Sequence, residues 1–238
     1  MKDSTFLLYD KPACAWTQAL PIGNGTLGGM IYGKVKEETV SLNHDELWTG
    51  HPKDTVPDGA LEAFQKARAL ALDGKLRESQ DVIESDFMST WNQAYLPLGD
   101  LILTFDGSER KSGYVRSLDL ETAIASVSYR QGKRIMRREM FASYPEKMIV
   151  IRLTCENGCF DVTAKLDCKL RHKMKSQEGL LVLSGEAPSE HNTNGLSDKQ
   201  SYSKNDSERG MLFTCAVKAD TDGKKHVSGK GIEITGAT

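Results

Sequence analysis

Strict alternation of apolar and polar residues is the feature that most constrains how this 238-residue chain can fold. Every second residue between positions 160 and 168 is apolar, and residues 211–219 repeat the design. Successive side chains of a β-strand point to opposite faces of the sheet. The alternation therefore predicts antiparallel sheets that bury one face and expose the other to water.

Shorter strand-like segments, separated by turn signals, fill most of the chain after residue 100. Their close spacing favours a mainly β fold, a large antiparallel β-sandwich. Between about residues 58 and 88 the apolar period changes from 2 to 3.6, which predicts an inserted helical hairpin. The first helix, with Asp58 as its expected N-cap, carries one apolar face: Leu61, Phe64, Ala67, Leu70 and Ala71. The second runs from Leu76 to about Phe87, with Leu76, Ile83 and Phe87 as its apolar contacts.

Composition is ordinary for a globular protein, with 39% apolar and 27% charged residues, and we expect a single domain over residues 1–238. Residues 186–210 are polar, and we interpret them as a surface loop. The last strand-like segment, residues 231–235, lies three residues before the end. We therefore expect the chain to be cut near its C-terminal end.

The net charge of −2 excludes the electrostatic footprint of a protein that binds nucleic acid or an anionic membrane. The nearest approach to a basic run is Lys133, Arg134, Arg137 and Arg138, which we interpret as a solvated strand edge. No apolar run approaches the roughly 20 residues of a membrane span.

Five dispersed cysteines complete no zinc site. Cys168 and Cys215 fall on the apolar phase of their strands and are expected to be buried thiols. A bridge between Cys155 and Cys159, across a turn, is left open.

Glycine, asparagine, aspartate and tryptophan concentrate in residues 16–50. Glycine lets a backbone approach a partner closely, and tryptophan offers a large flat apolar face with one donor. The segment 23–28 matches G-x-G-x-x-G, but it lies between strand-like sequences, whereas a dinucleotide site needs a helix after the turn. We therefore reject nucleotide binding for this stretch.

Metal binding and self-contained acid–base hydrolysis are also poorly supported. His44, Asp45 and His51 share no helical face on which they would act together as ligands. The carboxylates Asp45, Glu46, Asp100 and Asp119 have the right chemistry for a glycosidase, but only their separation in space would identify a catalytic pair. The loop 91–97 is either an aromatic surface for a sugar or an aromatic plug over the core.

Several ordered motifs resemble the N-terminal domain of glycoside hydrolase family 95, the family of inverting α-L-fucosidases with some α-L-galactosidases. The matching segments are Trp16, Ala19–Gly33 (ALPIGNGTLGGMIYG), Leu42–Gly50 (LNHDELWTG), Tyr95–Asp100 (YLPLGD), Tyr114–Ala123, Arg138–Tyr144 and Ile149–Leu153. His44 departs from the pattern, in which Glu usually stands. The resemblance implies a β-supersandwich that packs, through a helical linker, against an (α/α)₆ barrel absent from this chain.

In the family the catalytic acid and the water-activating residues lie in that barrel, so no catalytic residue is carried over to this chain. We expect the isolated domain to be inactive, with neither cofactor nor metal. The resemblance further implies a fucosylated glycan as substrate of the parent and a periplasmic or secreted location. A stand-alone carbohydrate-binding β-sandwich is the alternative, and α-L-galactosidase is the alternative parent activity. The substrate- or interface-facing candidates are Asn24, Asn43, Asp45, Trp48, His51 and Trp91.

Overall fold

The computed structural model describes residues 5–88, 93–190 and 200–238, and within them it confirms a mainly β, sandwich-like fold. These residues divide into two compact units. The first comprises residues up to Thr49, Tyr95–Ala187 and Met211–Thr238, and the second comprises Gly50–Ala94 and Pro188–Gly210.

All the strands within the described residues belong to the first unit. They are β1 (Phe6–Tyr9), β2 (Leu20–Gly23), β3 (Leu27–Ile31), β4 (Glu37–His44), β5 (Gly99–Phe105), β6 (Ser112–Asp119), β7 (Ile124–Gln131), β8 (Arg134–Ser143), β9 (Met148–Glu156), β10 (Phe160–Asp167), β11 (Arg171–Gln177), β12 (Leu180–Glu186), β13 (Leu212–Val217), β14 (Lys224–Ser228) and β15 (Gly231–Ala237). A short 3₁₀ turn, Trp16–Gln18, precedes β2.

Three antiparallel sheets result from these strands. The first has the order β1-β6-β7-β8-β9, the second β14-β15-β10-β5-β4-β3-β2, and the third β11-β12-β13. One hydrophobic cluster draws on the inner faces of all three, with Val40, Met140 and Leu181 fully buried at its centre. The predicted alternation is confirmed in β10, where Phe160, Val162, Ala164 and Leu166 are buried and the residues between them are not.

The interpretation of the basic run as a solvated strand edge was wrong for Arg138. Lys133 and Arg137 are exposed as expected, but Arg138 is 0% exposed. Alternation explains the difference, because Arg138 lies between Met136 and Met140 on the inward phase of its strand. Its guanidinium carbon lies 4.0 Å from the centre of the Phe105 ring, so the charge is stacked on an aromatic face inside the core.

Arg138 is compensated by a buried carboxylate from the opposite sheet. Its Nη1 lies 3.1 Å from Oε2 of Glu38, which is also 0% exposed, and its Nη2 donates to the hydroxyl of Tyr129 at 2.7 Å. The other oxygen of Glu38 accepts the backbone N–H groups of Gly33 and Thr39. Burial raises the pKa of Glu38 above its ordinary value, while the charge of Arg138 and the two N–H donors oppose that rise.

The second unit contains the predicted helical hairpin. Helix α1 (Ala60–Leu72) is followed by α2 (Leu76–Val82), which continues as a π-helical turn over Ile83–Phe87. The N-cap of α1 is Gly59, with φ of 79°, rather than the expected Asp58. Neither helix is long and apolar enough to cross a membrane, within the residues that the structure describes.

The buried side of the hairpin differs from the predicted apolar face. Ala67 is buried as that face requires, but Leu61 and Phe64 are exposed, and Ala63 is buried in their place. Leu76, expected as an apolar contact of the second helix, is also exposed. The buried cluster of the hairpin consists of Ala63, Ala67 and Val82, with Leu70 and Ile83 partly buried against it.

All five cysteines are free, so the Cys155–Cys159 bridge is not formed. Cys168 is buried as expected, and Cys215 is partly buried. Burial raises the pKa of the Cys215 thiol to about 11, because the thiolate would lose its hydration there. Cys168 and Cys215 are consequently packing residues of the first unit.

Part of the predicted polar loop lies in the second unit. Ser189 anchors it, since its backbone N–H donates to the carbonyl of Ser201 at 2.7 Å and its hydroxyl accepts the N–H of Ser203 at 3.0 Å. A 3₁₀ turn, Asp206–Glu208, follows, with Asn205 as its side-chain cap. Residues 191–199 of this loop lie outside the described residues.

Candidate functional site

Asn24 closes the turn between β2 and β3 and has its polar atoms engaged within the fold. Its Oδ1 accepts the backbone N–H groups of Thr26 at 3.1 Å and Leu27 at 2.8 Å, an Asx-type turn. Its Nδ2 donates to the carbonyl of Ser143, at the end of β8, at 2.9 Å. Asn24 therefore ties the two large sheets together.

Asn43 lies on β4 opposite Gly28 of β3, and the missing side chain of that glycine makes room for it. A Cβ atom at Gly28 would lie 2.5 Å from Asn43 Oδ1, and real Cβ atoms essentially never lie within 3.0 Å of such an atom. The amide can therefore lie across the neighbouring strand, where its Nδ2 donates to the hydroxyl of Tyr95 at 2.5 Å. This glycine is needed for close approach, as the sequence pattern indicated for the stretch as a whole.

Trp48 and Tyr95 form an exposed aromatic pair. Their ring centres are 5.2 Å apart and the rings are tilted by 59°. Each residue is 44% exposed, although both are large aromatic residues. An isolated bridge pairs the two backbones, and Trp48 Nε1 donates to the carbonyl of Asp45 at 2.8 Å. The indole donor is thus satisfied internally, and the ring faces are what this pair offers to a partner.

Asp45 lies between the β2–β3 turn and the aromatic pair. Its backbone N–H donates to the carbonyl of Thr26 at 3.0 Å, which places it beside the turn that Asn24 closes. Its carboxylate lies 3.1 Å from Nδ1 of His44, and the same nitrogen lies 3.3 Å from the backbone nitrogen of Glu46. One ring nitrogen cannot donate to the carboxylate and accept from the backbone at once, so the tautomer selects between these two contacts.

The structure thus brings four of the six candidates into one region of the first unit: Asn24, Asn43, Asp45 and Trp48. His51 belongs to the second unit, where its Nδ1 lies 3.4 Å from the carbonyl oxygen of Ser189. Trp91 lies outside the described residues. We call the surface formed by Asn43, Asp45, Trp48 and Tyr95 the aromatic platform.

Tyr95 is the member of the platform that was absent from the predicted candidates. The sequence signal for Tyr95 is the aromatic content of loop 91–97, which predicts either an aromatic surface for a sugar or an aromatic plug over the core. At 44% exposure the ring of Tyr95 lies at the surface, with its hydroxyl held by Asn43. Tyr95 is therefore a surface residue and not part of a plug over the core, and its contact with a sugar stays a prediction.

The platform is suited to binding and is not arranged as a metal centre or a deep pocket. A cavity of about 700 Å³ lies elsewhere, on the face of β7, β8 and β9 that carries Ser126, Arg137 and Arg152, and no platform residue lines it. Within the described ranges no three His, Cys, Asp or Glu side chains are grouped as they would be around a metal ion. Exposed ring faces beside an amide and a carboxylate are a common way to contact a sugar or another protein surface.

Comparison with known proteins relates the chain to glycoside hydrolases. Residues 7–238 match the family model described as "Glycosyl hydrolase family 65, N-terminal domain". "Alpha-L-fucosidase 2" of Arabidopsis thaliana is 38% identical over 171 residues, which cover 70% of this chain and 20% of that protein. "Probable alpha-fucosidase A" of Aspergillus oryzae is 29% identical over 171 residues (67% of this chain and 23% of that protein), and its namesake in Aspergillus niger is 32% identical over 162 residues (65% and 20%).

These matches confirm the resemblance to the N-terminal domain of a glycoside hydrolase and the relation to α-L-fucosidases. The family model carries the number 65, where the motifs resemble family 95, and both are families of glycoside hydrolases. The matched region spans about a fifth of the length of these curated relatives.

Proposed function

The chain belongs to the family of glycosyl hydrolase family 65 N-terminal domains, and from that membership together with its similarity to α-fucosidases we propose that it is the non-catalytic N-terminal domain of an inverting α-L-fucosidase. In the parent enzyme it packs against an (α/α)₆ barrel, which supplies the catalytic acid and the residues that activate water. The substrate of the parent is a fucosylated glycan, and its location is the periplasm or the cell exterior. The names of the curated relatives support the choice of α-fucosidase over α-L-galactosidase.

The observation that carries the proposal is the aromatic platform itself. Trp48 and Tyr95 stay exposed although each would gain stability from burial, while their polar atoms are held by Asp45 and Asn43. Fully burying a large apolar side chain is worth about 1.5–3 kcal/mol. An exposed aromatic pair whose polar atoms are already paired within the fold is suited to meet a partner surface, and we assign that partner role to the barrel at the border of its sugar pocket.

The proposal that the isolated chain is inactive is supported by the carboxylate content of the platform. Asp45 is the carboxylate of the platform, and its near neighbours are an imidazole and backbone groups. Glycoside hydrolysis uses two carboxyl groups on opposite sides of the scissile bond, about 5–9.5 Å apart. The platform residues include a single carboxylate, and in our proposal the reacting carboxyl groups are supplied by the barrel.

The direct test is an assay of the isolated chain and of the full-length parent with an aryl α-L-fucoside. We expect turnover by the parent and none by the isolated chain. In the parent, Trp48→Ala should lower kcat/KM by about tenfold or more, because the platform positions barrel groups or sugar. Trp16→Ala is the matched control, since Trp16 is an exposed tryptophan of the first unit outside the platform. Turnover by the isolated chain would overturn the proposal.

A second candidate function, a stand-alone carbohydrate-binding domain, is favoured by the same exposed rings. Aromatic faces stack on sugar C–H groups without help from a second domain. Titration calorimetry of the isolated chain with fucosylated oligosaccharides tests this candidate. Binding that is lost in Trp48→Ala and kept in Trp16→Ala would establish it, and the absence of heat with the fucosylated oligosaccharides would remove it.

A further inference from the structure

The hairpin of α1 and α2 has its small side chains inside and its large apolar side chains outside. Its buried residues are Ala63, Ala67 and Val82, with Leu70 and Ile83 partly buried against them. The larger apolar residues Leu61, Phe64, Leu72 and Leu76 are between 47% and 78% exposed. Single exposed leucines are normal on protein surfaces, but a contiguous set of them marks an interaction site.

Three of these residues lie on one side of α1. Leu61, Phe64 and Leu72 recur with helical spacing, and Arg68 lies between them at the same angular position on the helix. The stripe continues beyond the helix, because the Phe87 ring lies 5.8 Å from the Phe64 ring. We call Leu61, Phe64, Leu72 and Phe87, with Arg68 among them, the outer stripe.

The small interior makes the outer stripe hard to explain as an accident of packing. Ala63 and Ala67 supply little apolar area, and isolated helices of this length are marginal in water. Leu70 and Ile83 are only partly buried against this interior, and Leu61, Phe64 and Leu72 remain exposed and available to a partner.

We propose that the outer stripe is a further surface, besides the aromatic platform, on which the remaining part of the parent enzyme packs, an inference that rests on the proposed function. The matched region spans about a fifth of the length of its curated relatives, and the family model describes an N-terminal domain. A covalently attached partner is present at high effective concentration, so even a modest apolar stripe is occupied. The partner surface is apolar, with an acidic side chain or carbonyl group opposite Arg68.

Charge argues against a membrane as the occupant. Residues 60–88 carry four Lys and Arg against six Asp and Glu. Helices that bind membrane surfaces carry basic residues beside their apolar face, because the lipid surface is negative. An acidic hairpin is therefore better suited to a protein surface than to a lipid surface.

The test uses this chain and the remaining part of the parent, produced separately and mixed, with their association measured by sedimentation and titration calorimetry. Leu61→Gln, Phe64→Gln and Leu72→Gln combined should weaken the association about 100-fold, since central apolar contacts contribute more than about 1 kcal/mol each. The matched control combines Glu62→Gln, Lys66→Gln and Ala69→Gln on a flank of α1 between the outer stripe and the buried side, where all three residues are exposed. The control should change the dissociation constant by less than about threefold.

Each outcome separates this inference from the proposed function. Failure of the wild-type chain to associate would contradict the proposed function. Association that is equally tight with the stripe variant would overturn the inference and leave the proposed function standing. A wild-type homodimer that the stripe variant abolishes would instead identify a second copy as the occupant.

A second variant tests the same surface if the combined stripe variant does not fold. Arg68→Glu leaves the apolar side chains in place and reverses the charge within the stripe, so it should weaken association about tenfold without lowering the unfolding temperature of the isolated chain. An unchanged dissociation constant for both the folded Arg68→Glu variant and the combined stripe variant would reject the outer stripe as the contact surface.

Discussion

The guanidinium of Arg138 and the carboxylate of Glu38 form a fully buried ion pair that joins the two large sheets, with 3.1 Å between Nη1 and Oε2. Arg138 also donates to the carbonyls of Lys34 and Val35, at 2.6 and 2.7 Å, so it holds the loop between β3 and β4 as well. That loop leads directly into the strand that carries Asn43. The pair therefore fixes the scaffold beneath the aromatic platform.

Removing one member of this pair should destabilise the protein strongly. Arg138→Met leaves Glu38 charged and buried without its partner, which typically costs about 3–5 kcal/mol. Arg137→Met is the control on the same strand, because Arg137 is exposed and pairs with Glu156 at the surface, where ion pairs contribute about 0–1 kcal/mol. Urea unfolding of both variants measures the difference.

Glu38→Gln combined with Arg138→Met should recover part of the stability lost in Arg138→Met, since the orphaned charge is then gone. A loss below about 1 kcal/mol in Arg138→Met would show that the pair is not structurally important.

Two substitutions at Asn24 separate its two structural roles, which are to cap the β2–β3 turn and to join the two large sheets. Asn24→Asp keeps the oxygen that caps the turn and loses the donor to Ser143, whereas Asn24→Ala loses both. We expect Asn24→Ala to lose about 1–2 kcal/mol of unfolding free energy and Asn24→Asp to lose less. Equal losses in the two variants would mean that the turn cap contributes nothing beyond the contact between the sheets.

Gly28→Ala should disturb the aromatic platform with little effect on the rest of the fold. The new methyl group would occupy the space of Asn43 Oδ1, turn the amide away and break its hydrogen bond to Tyr95. We expect a changed near-ultraviolet circular dichroism spectrum from the Trp48–Tyr95 pair and a stability loss of about 1 kcal/mol.

Gly23→Ala is the matched control for that variant, because a Cβ atom there would make only an ordinary contact, 3.6 Å from the carbonyl of Leu27. A spectrum that changes equally in both glycine variants would contradict the role assigned to Gly28.

Cys215 should impose a pH dependence on stability at alkaline pH. Folding raises the pKa of its thiol from 9.0 to about 11, so the unfolded chain releases this proton first as pH rises. Stability from this group is fully present below pH 9 and is lost as pH rises towards 11, by about 2 kcal/mol. Urea unfolding of wild type and Cys215→Ala between pH 8 and 11 should show a steeper decline in the wild type. Parallel curves would contradict the assignment.

The strands that alternate were predictable because their signal is local. In β10 the polarity of each residue indicates the face of the sheet on which it lies, and the structure buries Phe160 and Val162 as expected. The same rule, applied to β8, would have placed Arg138 inside between Met136 and Met140. The charge of Arg138 nevertheless predicts a solvated side chain, because a guanidinium is buried only where it has a partner. The local sequence does not show that partner, Glu38.

The candidate site was predictable in its residue types and only partly in its members. The Asn, Asp and Trp of residues 43–48 were identified, whereas Tyr95, from a distant loop, was not among the candidates. Its hydrogen bond to Asn43 joins residues 52 positions apart. No local pattern shows such a contact.

The sequence by itself determined the mainly β architecture, the position of the helical hairpin and the membership of a glycoside hydrolase domain family, because periodicity and motifs are properties of neighbouring residues. Only the tertiary structure decided that Glu38 meets Arg138, that Asn43 supports Tyr95, and that α1 buries Ala63 and Ala67 while exposing Leu61 and Phe64. These outcomes depend on which strands and helices become neighbours. Strand order and helix packing are set by the burial of the whole chain, and no single segment encodes them.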